Sequence, residues 1–266
     1  MTNNNILFVE QKGYVATLTL NRPEKRNSLS QDLLIKLCQT LEELGQKDDV
    51  RTVVIRGSGQ RAFSSGYDIA AIPTNVPEDL QERLKAENPL DLAIAGIVNY
   101  PYPVIAMLNG YAFGAGCELA VSCDIRIAAD DIKMGVPAAK LGLVYPMRGM
   151  LRYVQTVGFA ATSELLLTGR SFDAKRALQM GLINYALPRT ELETFTYNLA
   201  QEMAANAPLS LKGTKRILGF LRQSFEMPAD LATEAESIIA RAFNSEDLKE
   251  GQRSFLEKRK PVFKGK

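Results

Sequence analysis

The sequence predicts an α/β fold, and three features carry that reading. Strand-like apolar runs recur, YVATLTL at 14–20, TVVIRG at 52–57 and PVIAML at 103–108. Segments with helical spacing of apolar residues lie between and after them. Short turns of glycine and small residues join the two kinds of segment, as packed layers of strands and helices require.

Taken in order, Tyr14 to Leu20 alternates as a half-buried strand does, and Asn21-Arg22-Pro23 breaks it. The loop PEKRNSLS follows. Ser30 is placed to cap a helix running through Leu44, with Leu33, Leu34, Leu37, Leu41 and Leu44 on one face and Gly45 after it. Val50 to Arg56 is the next strand. Ile72 to Leu90 differs in composition, with three prolines and many charges, and reads as a surface segment with a short helix starting near Pro77. It is either a solvated connector or one wall of a ligand pocket. Pro103 to Leu108 is a buried strand and Asp124 to Ala128 another. From Gly158 the composition turns helical, with Gly169 and Gly181 as C-terminal stops, Asp173 as a cap and Pro208 closing a further helix. The expected division is a core over 1–190 and a C-terminal helical region over 191–266.

Composition narrows the chemistry. A chain of 266 residues that is 46% hydrophobic can bury a sizeable core. Lys and Arg number 32 against 30 Asp and Glu, a balance that argues for neither nucleic acid nor membrane. Cys38, Cys117 and Cys123 show no metal or redox spacing and fit a reduced interior. The start, MTNNNILFVEQ, lacks a basic-then-apolar signal, and no apolar stretch approaches ~20 residues, so a cytoplasmic protein is expected. The chain contains no histidine. That excludes a Ser-His-Asp triad, a histidine base and the usual zinc chemistry. Acid–base work falls to carboxylates, lysines, tyrosines or cysteines, with no metal and no separate cofactor expected.

The chain is organised around Asn109 to Ala129, NGYAFGAGCELAVSCDIRIAA. A buried strand leads into Gly114-Ala115-Gly116, and Glu118 opens a helix. Glycines at such a junction let the backbone turn sharply and present N–H groups, and the helix N-terminus adds partial positive charge. The turn can hold an anion or a developing oxyanion beside one carboxylate. It can also be a tight turn with a solvated glutamate. A second small-residue segment, FSSGYDI at 63–69, follows another strand. Two such turns can each give one N–H to a single carbonyl oxygen, which is what an oxyanion hole requires.

Together, F-S-x-G-x-D-I and N-G-x-x-x-G-x-G-x-E-L resemble the crotonase family, also called the enoyl-CoA hydratase/isomerase family. The resemblance runs from LNRPEKRNSLS near the start to FLEKRKPVF near the end. It implies a crotonase-like spiral of ββα units with a C-terminal helical region, and an acyl-CoA substrate. By resemblance, the oxyanion-hole amides belong to Tyr67 and Ala115, and Glu118 matches the first of the two glutamates used by hydratases. The second glutamate is missing: in VPAAKLG at 136–142 its position holds Ala138. Hydration divides proton work between two carboxylates, so ordinary hydration is not expected.

Tyr145, in LGLVYP, is similar to a tyrosine that the methylmalonyl-CoA decarboxylase branch brings to its active site. That branch carries histidine where Tyr67 stands. Decarboxylation leaves a thioester enolate, which an oxyanion hole stabilises and which needs one proton donor. Tyr145 also fits a core tyrosine bonded to backbone. The resemblance further implies CoA contacts from Lys25, Arg26, Ser65, Gly66, Asp68, Ile69 and Gly114, with Phe255 and Lys258 covering the nucleotide of a neighbouring subunit. Read alone, Lys25 and Arg26 are solvated loop cations and KRKPVFKGK is a basic tail. A trimer or dimer of trimers is implied. Three functions remain open: a decarboxylase of a malonyl-CoA-type substrate, a hydratase or isomerase using Glu118 alone, and a non-catalytic acyl-CoA binder.

Overall fold

The computed structural model describes residues 6–67, 88–223 and 228–265; Asp68, Ile69 and the expected helix near Pro77 lie outside them. The first strands are β1 (Leu7–Lys12), β2 (Val15–Leu20), β3 (Thr52–Gly57) and β4 (Ala62–Ser64). They are followed by β5 (Val104–Leu108), β6 (Tyr111–Phe113), β7 (Ile125–Ala129) and β8 (Lys133–Gly135). The last are β9 (Ser171–Asp173) and β10 (Tyr185–Leu187).

Two sheets form. One has six strands in the order β1-β2-β3-β5-β7-β10, and the other has four in the order β4-β6-β8-β9. In the pairs β3/β4, β5/β6 and β7/β8, the first strand joins the larger sheet and the second joins the smaller. Helical segments follow the pairs: α2 (Pro89–Asn99), α3 (Ala115–Val121), and a 3-10 turn (Ala138–Leu141) leading to α4 (Met147–Thr168). This is the expected repeat of ββα units.

The central strands are parallel and carry side chains buried on both faces, which is why VIAML reads as an unbroken apolar run. Helix α1 (Gln31–Lys47) is capped by Ser30, whose Oγ accepts the Leu33 amide at 3.4 Å. It packs on α2 with Leu33, Leu34, Leu37, Leu41 and Leu44 buried, each contributing roughly 1.5–3 kcal/mol. The helix does not stop at Gly45 but runs to Lys47, where Asp48 turns left-handed. Gly45 serves packing instead, since a Cβ there would stand 3.3 Å from Pro101.

Helix α5 (Ala174–Gln179) is capped by Asp173, and α4 ends at left-handed Gly169, both as expected. Helix α6 (Arg189–Ala205) lays Leu192, Thr196, Ala200 and Ala204 toward the larger sheet, so the first helix beyond residue 190 packs on the core. Helices α7 (Pro208–Gln223), α8 (Ala229–Phe243) and α9 (Glu246–Leu256) complete the chain. Lys215 ties α7 to the core: its ammonium donates to Asp124 Oδ2 at 2.7 Å, Tyr102 O at 2.8 Å and Ile97 O at 3.1 Å. No helix among the described residues is long and apolar enough to cross a membrane.

Candidate active site

Strands β4 and β6 are parallel neighbours, so the turns that leave their C-terminal ends emerge side by side. The turn after β4 is Ser65-Gly66-Tyr67, and the turn after β6 is Gly114, which begins α3. Gly66 has φ +83°, and a Cβ on it would stand 2.5 Å from Phe113 O and 3.2 Å from Ala115 N. Only a residue without a side chain lets the two turns approach so closely. Gly114 has φ +52° and donates its amide to Gly135 O at 2.9 Å. Among the described residues, neither the Tyr67 amide nor the Ala115 amide donates to another group. Two unspent N–H groups thus lie on adjacent turns, one of them at the N-terminus of α3, and can receive an oxyanion.

The loop ahead of α1 is tied to the same place. Ser65 N donates to Arg26 O at 3.1 Å and Leu29 N to Gly66 O at 2.9 Å. Lys25 and Arg26 stand exposed there, and neither forms an ion pair among the described residues. Their point charges suit phosphate groups.

Behind the turns lies Glu118, 3% exposed in the first turn of α3. The Tyr145 hydroxyl donates to its Oε2 at 2.5 Å. Arg152, on α4, pairs directly with its Oε1. The other guanidinium nitrogen of Arg152 meets Asp91 Oδ1 at 2.7 Å, from the first turn of α2. Burial raises the Glu118 carboxyl above its ordinary range, while Arg152 and Tyr145 pull the other way. Desolvation, then the charge of Glu118, push the Tyr145 phenol well up. A buried carboxylate survives as a charge only with such partners. Gly149 makes room for the group, since a Cβ there would fall 2.5 Å from the Tyr145 ring and 3.0 Å from Glu118 Oε1.

Tyr67 is 37% exposed and its hydroxyl donates to Asn88 Oδ1 at 3.2 Å. Ala138, 7% exposed, sits on the 3-10 turn where a second glutamate would be and brings no titrating group. Helix α9 docks on that same turn within the chain; a Cβ on Gly142 would come 2.6 Å from the Asp247 carbonyl. The basic tail folds back onto α9, with Glu250 receiving Arg259 and the Val262 amide, and Asp247 receiving the amides of Lys264 and Gly265. Phe255 is exposed at 56%, and Lys258 follows the helix with φ +54°.

The structure therefore brings Gly66, Tyr67, Gly114, Ala115, Glu118 and Tyr145 together and sets Lys25, Arg26 and Ser65 beside them. Arg152, Asp91 and Gly149 were not expected. Asp91 has a local signal, an acid after Asn88-Pro89 at a helix start. Arg152 lies 34 residues from its partner and has none.

A twisted α/β spiral with two adjacent amide-bearing turns over a buried glutamate defines a class of thioester enzymes, and the comparisons agree. The family model described as enoyl-CoA hydratase/isomerase matches residues 10–266. The chain is 36% identical to the 2,3-dehydroadipyl-CoA hydratase of Escherichia coli K12 over 98% of its length and 99% of that protein. It superposes with a TM-score of 0.91 on a methylmalonyl-CoA decarboxylase in complex with 2-nitronate-propionyl-CoA, at 31% identity, covering 98% and 99% of the two chains. An enoyl-CoA hydratase from Bacillus anthracis gives 0.76 at 28% identity, covering 98% and 100%. The chain belongs to the enoyl-CoA hydratase/isomerase, or crotonase, family, and it is an acyl-CoA enzyme of that family.

Gly66→Ala tests the two-turn geometry. The added methyl must displace either Phe113 O or the Ala115 amide, and losing one oxyanion donor costs roughly 100- to 1000-fold in turnover. Steady-state kinetics on the best acyl-CoA substrate, with circular dichroism to confirm folding, should show that fall. A folded variant with unchanged turnover would remove this turn from the site.

Proposed function

We propose that this enzyme decarboxylates a malonyl-type CoA thioester, methylmalonyl-CoA or a near relative. The observation that carries the reading is the acid–base set. One buried carboxylate, Glu118, accepts a 2.5 Å hydrogen bond from Tyr145, and alanine stands where a second glutamate would be. Hydration needs a base for the water and an acid for the α-carbon, and this set supplies one carboxylate for both.

Decarboxylation asks for less. The bond between the α-carbon and the carboxylate breaks, carbon dioxide leaves, and the electron pair passes into the thioester enolate. The enolate oxygen is received by the amides of Tyr67 and Ala115. One proton then reaches the α-carbon from the Tyr145–Glu118 pair, and water restores it. The turnover consumes one proton and releases one carbon dioxide. Arg152 is engaged on both sides, by Glu118 and Asp91. It is therefore not free to stabilise the substrate carboxylate in the ground state.

The higher TM-score, 0.91 against 0.76, supports this reading. Sequence identity does not separate the two, and the 36% shared with a 2,3-dehydroadipyl-CoA hydratase favours a second reading, a hydratase or isomerase working with Glu118 alone. In either case Lys25 and Arg26 contact the CoA phosphates or ribose, with Ser65 and Gly66 beside them.

Crotonyl-CoA and methylmalonyl-CoA assayed side by side separate these readings. Carbon dioxide from the second and slow or absent hydration of the first are expected. Tyr145→Phe should lower decarboxylation by roughly 10- to 1000-fold. Efficient hydration with no carbon dioxide would replace the decarboxylase with the one-glutamate enzyme.

The helical region from Glu191 onward joins copies of the chain into a trimer or dimer of trimers, with Phe255 and Lys258 near a nucleotide. Exposed Leu209 and Ile217, Phe220 on the same helix, and Leu231 and Ile238 on α8 support this, because so many large apolar side chains rarely stay in water. Sedimentation should show a trimer or hexamer, and Ile217→Glu with Phe220→Glu should release smaller species. A monomeric parent chain would contradict the assembly.

A further inference from the structure

The three-charge row Asp91, Arg152 and Glu118 crosses from α2 through α4 to α3, and Tyr145 closes its inner end. Such a row does more than fill space. The guanidinium is a planar fork with one nitrogen on each carboxylate, so its charge is divided between them. Glu118 is nearly sealed from water, whereas Asp91 has a side chain 24% exposed and also meets Arg148 at 3.7 Å. The carboxylate with less water depends more on the shared cation.

We propose that Arg152 is a positioning residue that holds Glu118 as an oriented, ionised carboxylate beneath the Tyr145 hydroxyl, and that Asp91 limits this hold by competing for the same guanidinium. Glu118 then works as a fixed anion that orients the Tyr145 proton. A buried carboxylate clamped by arginine is a weaker proton acceptor than the same carboxylate unclamped, so the clamp suits a single protonation of an enolate better than activation of water. This inference rests on the placing of Glu118 and Tyr145 in the active site proposed above.

Among the described residues, the groups that face Glu118 are few. Tyr67 comes from the turn after β4, Asp91 from α2, Cys117 from α3 itself, and Tyr145, Arg152 and Tyr153 from α4 and the loop before it. Cys117 is pushed up to about 12 by burial, and burial likewise raises the phenols above their ordinary range. Burial raises Glu118, Arg152 opposes that rise, and Asp91 adds to it. The two neighbours act with opposite sign, which a purely structural role does not require.

The test reads Glu118 directly and needs no substrate. The carbonyl stretch of the protonated Glu118 carboxyl is followed by infrared difference spectroscopy against Glu118→Gln across pH. In Arg152→Gln the band should persist to a pH about one unit or more higher than in the parent protein, the scale of losing an adjacent opposite charge. In Asp91→Asn it should vanish at lower pH than in the parent. Arg152→Lys should fall between parent and Arg152→Gln. If Arg152→Gln does not fold, Asp91→Asn and Arg152→Lys still decide. An unmoved midpoint in the folded variants, or a shift of Asp91→Asn in the same direction as Arg152→Gln, overturns the proposal. Release of carbon dioxide is not read here, so a wrong reaction and a wrong clamp give different results.

Discussion

A carboxylate with 3% of its surface in water is the constraint around which this molecule is arranged. Left alone, Glu118 would take up a proton, because burial penalises the charged form. Two groups that are distant in sequence converge to oppose this. The loop before α4 supplies Tyr145 and α4 supplies Arg152, while Asp91 of α2, on the far side of the guanidinium, works against them. Glycine at 149 is the condition for that convergence, since any side chain there would strike both Tyr145 and Glu118.

The oxyanion turns depend on a different economy, that of backbone. Parallel pairing of β4 with β6 puts two strand ends next to each other, and Gly66 and Gly114 let the chain leave both at positive φ. The donors are main-chain amides, so their chemistry survives side-chain change at Tyr67 and Ala115 while the glycines do not tolerate it. In the proposed mechanism these fixed dipoles receive the enolate oxygen while the Tyr145–Glu118 pair handles the proton. Preorganised groups of this kind act without reorganising during the reaction.

Much of this was legible in the chain because it is local. Glycine turns after apolar strands, Ser30 and Asp173 as caps, Glu118 opening a helix and the absence of histidine can all be read from neighbouring residues. The smaller sheet was not legible, because its strands are three residues long and too short to show alternation. Helix Pro89–Asn99 does carry a cap at Asn88 and apolar residues at 90, 93, 94 and 97, but the charged, proline-rich stretch ahead of it obscures its start. Gly45 read as a stop because composition cannot tell a terminating glycine from one that admits Pro101. Arg152 had no signal at all. Ion pairs across 34 residues leave no spacing to read.

The central claim is that this site forms and protonates a CoA thioester enolate. Exchange of the α-hydrogens of propionyl-CoA in heavy water, followed by product mass, measures that half-reaction from the reverse side. The account predicts catalysed deuterium incorporation at the α-carbon that Glu118→Gln slows by about 100-fold or more. No exchange above the uncatalysed rate, in a protein that binds propionyl-CoA, would contradict it.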